Sequence, residues 1–222
     1  MSDIFPVWTN RLPVQVLAGA ILVGSGVIAG GWYYFTPKYT RVGYQPIQPT
    51  AFSHAVHVDQ IGMDCVYCHE GVKKSWYAGL TSAASCMNCH NQVLPNDPRL
   101  AQVRESAKGG KAIPWIQIHK VPDYVYFSHA AHVNRGVGCL ECHGQINLAD
   151  ETYHAQPLSM AFCLDCHRDP APKLRPIERI TDMNWTWAGA PREAADRQRA
   201  AGQKLVEAWK VQVLENCSAC HR

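Results

Sequence analysis

The sequence predicts a mostly α-helical fold of short helices and ordered loops, with one transmembrane helix at the N-terminus. Three observations support this prediction. The 222-residue chain has one long apolar segment, and it lies near the N-terminus. All ten cysteines stand in copies of one five-residue motif. Stretches with proline and many polar or charged residues, at 91–112 and 168–180, separate these motifs and read as linkers.

The transmembrane helix is predicted at residues 13–36. The sequence from Val14 to Phe35 is almost wholly apolar, and about 20 such residues are enough to cross a bilayer. Trp8 on one flank and Trp32 on the other are typical interfacial anchors. We expect this segment to be a retained signal anchor. The alternative is a signal peptide, which would be cleaved from the mature protein.

The ten cysteines form five C-x-x-C-H motifs, which are typical of covalent haem attachment. On one helical turn, two thiols and the following imidazole share a face, so the thiols can bond one porphyrin while the histidine coordinates its iron. Disulfides, zinc sites and redox dithiols are the alternatives. Five copies that use every cysteine favour five covalently bound haems c. The motif residues are Cys65, Cys68 and His69; Cys86, Cys89 and His90; Cys139, Cys142 and His143; Cys163, Cys166 and His167; and Cys217, Cys220 and His221.

Six of the eleven histidines lie outside the motifs. Four of them belong to a repeated phrase, F-S-H-x-x-H, and are predicted distal ligands of the haem irons: His54, His57, His129 and His132. For the fifth distal position we favour His119, with His154 and Met160 as alternatives, because methionine is also an accepted axial ligand. Irons with two protein ligands have no position for a substrate, which favours electron transfer over catalysis.

The extracytoplasmic part carries an internal duplication, in which each copy contains the repeated phrase and two motifs. A helix is predicted to begin near Pro191 and to run directly into Cys217, since Leu205, Trp209 and Val213 recur at helical spacing. The predicted segments are a cytoplasmic N-terminus at 1–12, the transmembrane helix at 13–36, a linker at 37–51, modules for the first two haems at 52–112 and the next two at 113–180, and a C-terminal helix with the fifth haem at 181–222.

Five porphyrins on so short a chain leave no room for a conventional protein core. We therefore expect short α-helices and ordered loops packed on haem, and we expect folding to depend on haem binding. The formal charge of +3 does not indicate nucleic-acid binding, because five haems would add about ten propionate carboxylates and reverse the sign. Thioether attachment takes place outside the cytoplasm, so the haem domain is predicted on the periplasmic face of the cytoplasmic membrane, with the N-terminus inside.

Several phrases resemble the pentahaem cytochrome c subunit of alternative complex III, a quinol:electron acceptor oxidoreductase. They are Ser53–His57, Cys65–Lys74, Ser85–His90, Pro122–Val133 and Pro157–Arg168. The resemblance covers nearly the whole chain. It implies integral-membrane quinol-binding subunits, an iron–sulfur subunit, and a monohaem cytochrome, soluble cytochrome c or blue copper protein as acceptor. It also implies a ligand set of more than one residue type, and Met160 fits that pattern.

The predicted function is an electron-carrier subunit of a respiratory or photosynthetic chain that is not an enzyme by itself. One alternative is a small membrane-anchored quinol dehydrogenase of the tetrahaem type, which would need a five-coordinate haem beside a quinol pocket. A second is a nitrite-type multihaem reductase, which is disfavoured because the sequence has no C-x-x-C-K motif. Electron storage without a fixed partner is a third, and the membrane anchor disfavours it.

Overall fold

The computed structural model describes residues 6–35, 41–186 and 191–221. The predicted segments 1–12, 13–36, 37–51 and 181–222 therefore lie partly outside the described residues. The chain divides into two compact units, Met1–Val42 and Gly43–Arg222. The second unit contains all five motifs.

The N-terminal unit is built around helix α1, Leu12–Phe35, which a 3-10 turn at Val7–Arg11 precedes. Together they form a span of 28 residues, Trp8–Phe35, with a mean hydropathy of 2.0 and no buried residue in its most apolar stretch. At about 1.5 Å per residue, such a helix exceeds the hydrocarbon thickness of about 30 Å. One apolar N-terminal helix, long enough to cross a membrane, is therefore present as predicted.

The second unit consists of short helices joined by ordered loops. Its α-helices are α2 (Cys65–Cys68), α3 (Ala83–His90), α4 (Ala101–Ala107), α5 (His129–Val133), α6 (Cys139–His143), α7 (Met160–Arg168), α8 (Pro191–Ala208) and α9 (Cys217–Cys220). A π-helical turn covers Ala55–Gln60, and 3-10 turns cover Glu70–Lys73, Pro98–Leu100, Ile146–Leu148, Ala171–Lys173 and Ile177–Arg179. The described residues contain no extended strand, only two isolated antiparallel bridges, Val125–His221 and Val137–Leu174.

Polar side chains fix where the short helices begin. Ser128 precedes α5 and accepts a hydrogen bond from the backbone N–H of Ala131, and Ser159 does the same for Phe162 at the start of α7. Asp64 caps α2 in the same way. Such caps satisfy N–H groups that a first helical turn leaves without partners, typically contributing about 1 kcal/mol each. Each of these helices carries or adjoins ligand candidates, so the caps also fix their orientation.

The protein core of the second unit is small. Eight apolar side chains are buried among the described residues: Val103, Ile118, Val133, Ala149, Ala171, Leu174, Ile180 and Met183. Four further buried residues are polar or charged, among them His154 and Arg175. So few buried apolar groups cannot offset the conformational entropy of ordering a unit of this length. A protein core this small is what the sequence predicts for a unit that packs on haem.

The stretch 168–180 differs from the linker that its prolines and charges predict. Leu174 and Ile180 are each only 2% exposed, and the Arg175 side chain is buried beside them. The backbone N–H of Cys139 donates to the carbonyl of Ile180, and that of Arg175 donates to the carbonyl of Gly136. The segment is therefore buried and packs directly against the third motif. Composition marked it as a loop, but irregular backbone can still be packed when its polar groups find partners.

Helix α8 begins at Pro191 as predicted, but it ends at Ala208 and does not run into Cys217. Lys210 adopts a φ of 51°, the left-handed conformation that typically ends a helix. Val213 thus lies outside the helix, and the helical spacing of Leu205 and Trp209 does not extend to it. The fifth motif has its own short helix, α9.

Gly202 determines how closely α8 approaches the 3-10 turn at Ala171–Lys173. A Cβ at residue 202 would collide with the Ala171 carbonyl, and backbone atoms cannot rotate away as a side chain does. We expect Gly202→Ala to destabilise the unit by about 1–3 kcal/mol despite the better helix propensity of alanine. Thermal unfolding followed by haem absorbance measures this. The control Ala200→Gly, on the exposed face of α8, should cost no more than about 1 kcal/mol. A more stable Gly202→Ala protein would contradict this packing.

Candidate haem-binding site

Each C-x-x-C-H motif lies on or at the end of its own short helix. The motifs occupy α2, α3, α6, α7 and α9 in chain order. In the first and last, the histidine follows the helix and its backbone N–H donates to the carbonyl of the first cysteine, at 2.9 Å for His69 and 2.8 Å for His221. The helical turn expected from the i, i+3, i+4 spacing is therefore formed in every copy, and it brings two thiols and one imidazole to one side.

In most of the histidines that are candidate iron ligands, the ring nitrogen Nδ1 already has a hydrogen-bond partner. In six histidines, Nδ1 lies within hydrogen-bond distance of an oxygen: His54 (Thr152 Oγ1, 3.2 Å), His57 (Ser53 O, 2.8 Å), His69 (Gly79 O, 2.8 Å), His90 (Val93 O, 3.0 Å), His129 (Trp76 O, 2.9 Å) and His132 (Ser128 O, 2.8 Å). A carbonyl acceptor requires the proton on Nδ1, which leaves the Nε2 lone pair for a metal. This pattern is the usual support of metal-bound imidazole.

Two histidine pairs have the separation that one iron between two imidazoles requires. The ring centres of His57 and His90 are 6.1 Å apart, and those of His132 and His167 are 6.0 Å apart. A metal–nitrogen bond of about 2 Å, with the ring centre about 1 Å behind the nitrogen, gives a separation of about 6 Å. Both pairs join the second histidine of a repeated phrase to the second motif of the same copy. The residues present therefore fit bis-histidine haem c.

The remaining phrase histidines lie with the proximal histidines of the first and third motifs. His129 and His143 have nearly parallel rings, 6.4 Å between centres and 11° between planes. Burial, then the nearby His69, lowers the pKa of His54 to about 4. Burial also lowers the pKa of His143 to about 3, and four nearby imidazoles lower it further: those of His119, His129, His69 and His54. Burial thus favours the neutral imidazole at His54 and His143, and this is the form in which histidine binds a metal.

The repeated phrases pack against the opposite copy. The backbone N–H of Ala55 donates to the carbonyl of Ala149, which follows the third motif, at 3.1 Å. Reciprocally, the backbone N–H groups of His129 and Ala130 donate to carbonyls of Trp76 and Ser75, which follow the first motif. The two duplicated segments are thus interleaved, and the first and third motifs are neighbours.

The neighbours that shift the pKa values of the motif cysteines indicate which other motifs lie close together. A hydrogen bond with Cys139, then burial, raises the pKa of Cys65. Burial, followed by the neighbouring Cys86, raises the pKa of Cys68. The pKa of Cys142 is raised to about 12 by burial, followed by Cys166 and Cys163, and that of Cys163 is raised by burial, followed by Cys220. The motifs therefore follow one another in space in the order two, one, three, four, five.

Two of the three candidates for the fifth distal position, His119 and His154, lie side by side. His119 Nε2 lies 3.3 Å from Nδ1 of the proximal His143, and its ring stacks on that of His154 at 5.2 Å. His154 is 1% exposed, whereas Met160, the first residue of α7, is 61% exposed. The ring that stacks on His221 of the fifth motif belongs to Tyr124, at 5.7 Å. Within the described part of the chain, no other histidine ring contacts the His221 imidazole of the fifth motif.

The structure adds a charged cluster that the motif spacing did not indicate. Glu141, a variable residue of the third motif, is 3.1 Å from the Arg175 guanidinium and 3.0 Å from the Lys173 ammonium. Arg175 also donates to the carbonyl of Asp182, and its guanidinium lies over the Trp185 ring. Gly138, which precedes the motif, has no room for a Cβ because of this guanidinium. The charges in 168–180 were visible in the sequence, but nothing there indicated that one of them is buried.

Comparisons with known proteins agree with this geometry. Residues 50–107 and 125–222 match the family described as cytochrome c7 and related cytochrome c. The chain is 44% identical over 114 residues to the multihaem cytochrome c subunit of a menaquinone reductase from Nitratidesulfovibrio vulgaris strain Hildenborough. That match covers 51% of this chain and 52% of the relative, so the chain spans about half the length of the relative.

Proposed function

Because the chain belongs to the family of cytochrome c7 and related cytochrome c, we propose that it is the electron-transfer subunit of a quinol-oxidising membrane complex and carries five covalently bound haems c. The observation that carries this proposal is the set of five motif helices together with imidazole pairs spaced for a single iron. Haem c, when bound, supplies a one-electron couple whose potential is set by its axial ligands and surroundings.

The proposed ligand set follows from these contacts. The ten motif cysteines hold the five porphyrins, and the five motif histidines are proximal ligands. His57 and His132 are the distal ligands of the second and fourth haems, opposite His90 and His167. His54 and His129 serve the first and third haems between them. With these irons closed on both faces, the chain binds and orients redox centres and excludes substrates from the metal.

The neighbouring thiols support a continuous path for electrons. Neighbouring motifs approach each other at four cysteine pairs: Cys86 with Cys68, Cys65 with Cys139, Cys142 with Cys166, and Cys163 with Cys220. In this order the second and fifth haems are the two ends, and the first, third and fourth are internal. We propose that partners exchange electrons at the two ends.

The proposed setting combines the apolar helix with the resemblance to alternative complex III. Helix α1 anchors the chain in the cytoplasmic membrane with the N-terminus inside, and the haem unit lies on the periplasmic face. The partners are integral-membrane quinol-binding subunits, an iron–sulfur subunit, and a monohaem cytochrome, soluble cytochrome c or blue copper acceptor. The similarity to a subunit of a menaquinone reductase supports a quinone-linked complex.

The same similarity also supports a second candidate function, in which electrons flow through these haems towards menaquinone. Bis-histidine haems pass electrons either way, so the partner subunits set the direction. The purified complex should be assayed with a menaquinol analogue and an oxidised periplasmic carrier, and separately with a reduced carrier and a menaquinone analogue. Faster turnover with the quinol supports the leading proposal. Turnover with the reduced carrier alone supports the second candidate.

Haem content and association are tested together. After mild detergent extraction, we expect the intact chain to carry five haem increments in its mass and to copurify with hydrophobic subunits. Peptide mapping should place one haem on each motif. A chain with fewer haems contradicts the proposed cofactor content. Recovery as a clean monomer that oxidises quinol by itself would instead favour a small self-sufficient quinol dehydrogenase.

A further inference from the structure

The nitrogen that His119 uses differs from that of the phrase histidines. His54, His57, His129 and His132 each engage Nδ1 and keep Nε2 clear for a metal, as described above. In His119 it is Nε2 that makes the contact, at 3.3 Å from Nδ1 of His143. The atom that would bind an iron is therefore directed at the back of a proximal ligand.

The two rings are too close to share an iron. Their centres are 4.3 Å apart and their planes meet at 76°, an edge-to-face arrangement. Two imidazoles on one iron would be about 6 Å apart. His143 uses Nε2 for its metal in a C-x-x-C-H site, so its Nδ1 carries the proton, and this N–H points at the lone pair of His119.

The environment holds His119 in this orientation. Its other face stacks on His154 at 5.2 Å with 24° between planes, and His154 is almost completely buried. The neighbouring Ile118 is 6% exposed and anchors the backbone. Among the described residues, His143 has no carbonyl acceptor like Gly79 for His69 or Val93 for His90, and His119 takes that place.

We infer that His119 is a positioning residue for the third haem, accepting the Nδ1–H of the proximal ligand His143, and that it is not the distal ligand of the fifth haem. This inference rests on the proposed function. An acceptor behind a proximal imidazole fixes the ring and strengthens it as a donor, which stabilises the ferric iron and lowers its potential. His119 thus tunes the internal third haem, and Met160 and His154 are left as candidates for the fifth distal position.

The test uses the full-length haem-loaded protein in detergent, with His119→Ala and His119→Gln. For His119→Ala we expect no new carbon monoxide binding and no high-spin signal, but a higher potential for one haem. His119→Gln, whose Oε1 can accept the same N–H, should restore most of the wild-type potential. Binding of about one carbon monoxide per chain in His119→Ala would overturn the inference, because it would show that a distal ligand was lost.

A second background distinguishes an effect of His119 on the third haem from an effect on the fifth haem. Cys217→Ser with Cys220→Ser removes the fifth haem from the last motif, whose first cysteine is exposed. In that background, His119→Gln and His119→Ala should differ in the same potential as before. If the difference disappears with the fifth haem, His119 acts on that haem and the inference is wrong. The haem count of the parent protein, measured by mass, tests the proposed function separately.

Discussion

Replacing His132 by alanine should make the reduced protein bind about one molecule of carbon monoxide per chain more than the wild-type protein does. His132 faces His167 at 6.0 Å between ring centres, and no other imidazole comes this close to His167 among the described ring contacts. Its Nδ1 is held by the Ser128 carbonyl at 2.8 Å, and its ring stacks on Phe127. If His132 is the distal ligand proposed above, its removal should leave the fourth iron open on one face. The Soret band of the reduced protein should shift on carbon monoxide addition.

The matched control is His132→Met. Methionine can occupy the same axial position, so this variant should stay closed to carbon monoxide while the potential of one haem rises. His57→Ala, at the equivalent position of the other phrase, should open the second haem in the same way. If His132→Ala stays low-spin and inert to carbon monoxide, His132 is not a ligand and the pairing with His167 is wrong.

The local part of the site could be predicted from the sequence because its chemistry is encoded at short spacing. A C-x-x-C-H motif specifies one helical turn, and all five turns are formed. The repeated phrase marked its histidines as ligand candidates, but the sequence did not indicate that its second histidine lies opposite the second motif of the same copy, as His57 does with His90. The cytochrome family is confirmed by the match over residues 50–107 and 125–222. The haem count, the distal ligands and the specific complex remain predictions.

The non-local part could not be predicted because spacing carries no information about it. The Nδ1 acceptors of His54 and His129 come from residues 98 and 53 positions away. The duplication suggested two successive modules, yet each phrase bonds to the backbone of the other copy. The buried segment at 168–180 has the composition of a loop, and the end of α8 depends on one left-handed residue, Lys210. Tertiary contacts override composition in each case.

Removing the third haem should cost the unit its fold, because this motif lies at the centre of the interleaved copies. We expect Cys139→Ser with Cys142→Ser to yield a protease-sensitive chain that loses more than one haem. The cysteine pair adjoins Cys65 on one side and Cys163 and Cys166 on the other. Glu141 of this motif also pairs with the buried Arg175 at 3.1 Å, so disorder of the motif would leave a buried charge without its partner, which is costly. Limited proteolysis and intact mass measure the outcome.

The control for this variant is Cys217→Ser with Cys220→Ser. Cys217 is exposed, α9 is joined to the rest of the unit through the Val125–His221 bridge, and the fifth motif adjoins one other motif. That variant should lose one haem and keep the other four in a folded, protease-resistant unit. Comparing the two double variants distinguishes an internal haem, around which the unit packs, from a terminal haem. Within the described ranges only eight apolar side chains are buried, too few to hold the unit together alone, so equal and mild effects of the two variants would contradict a core built on haem.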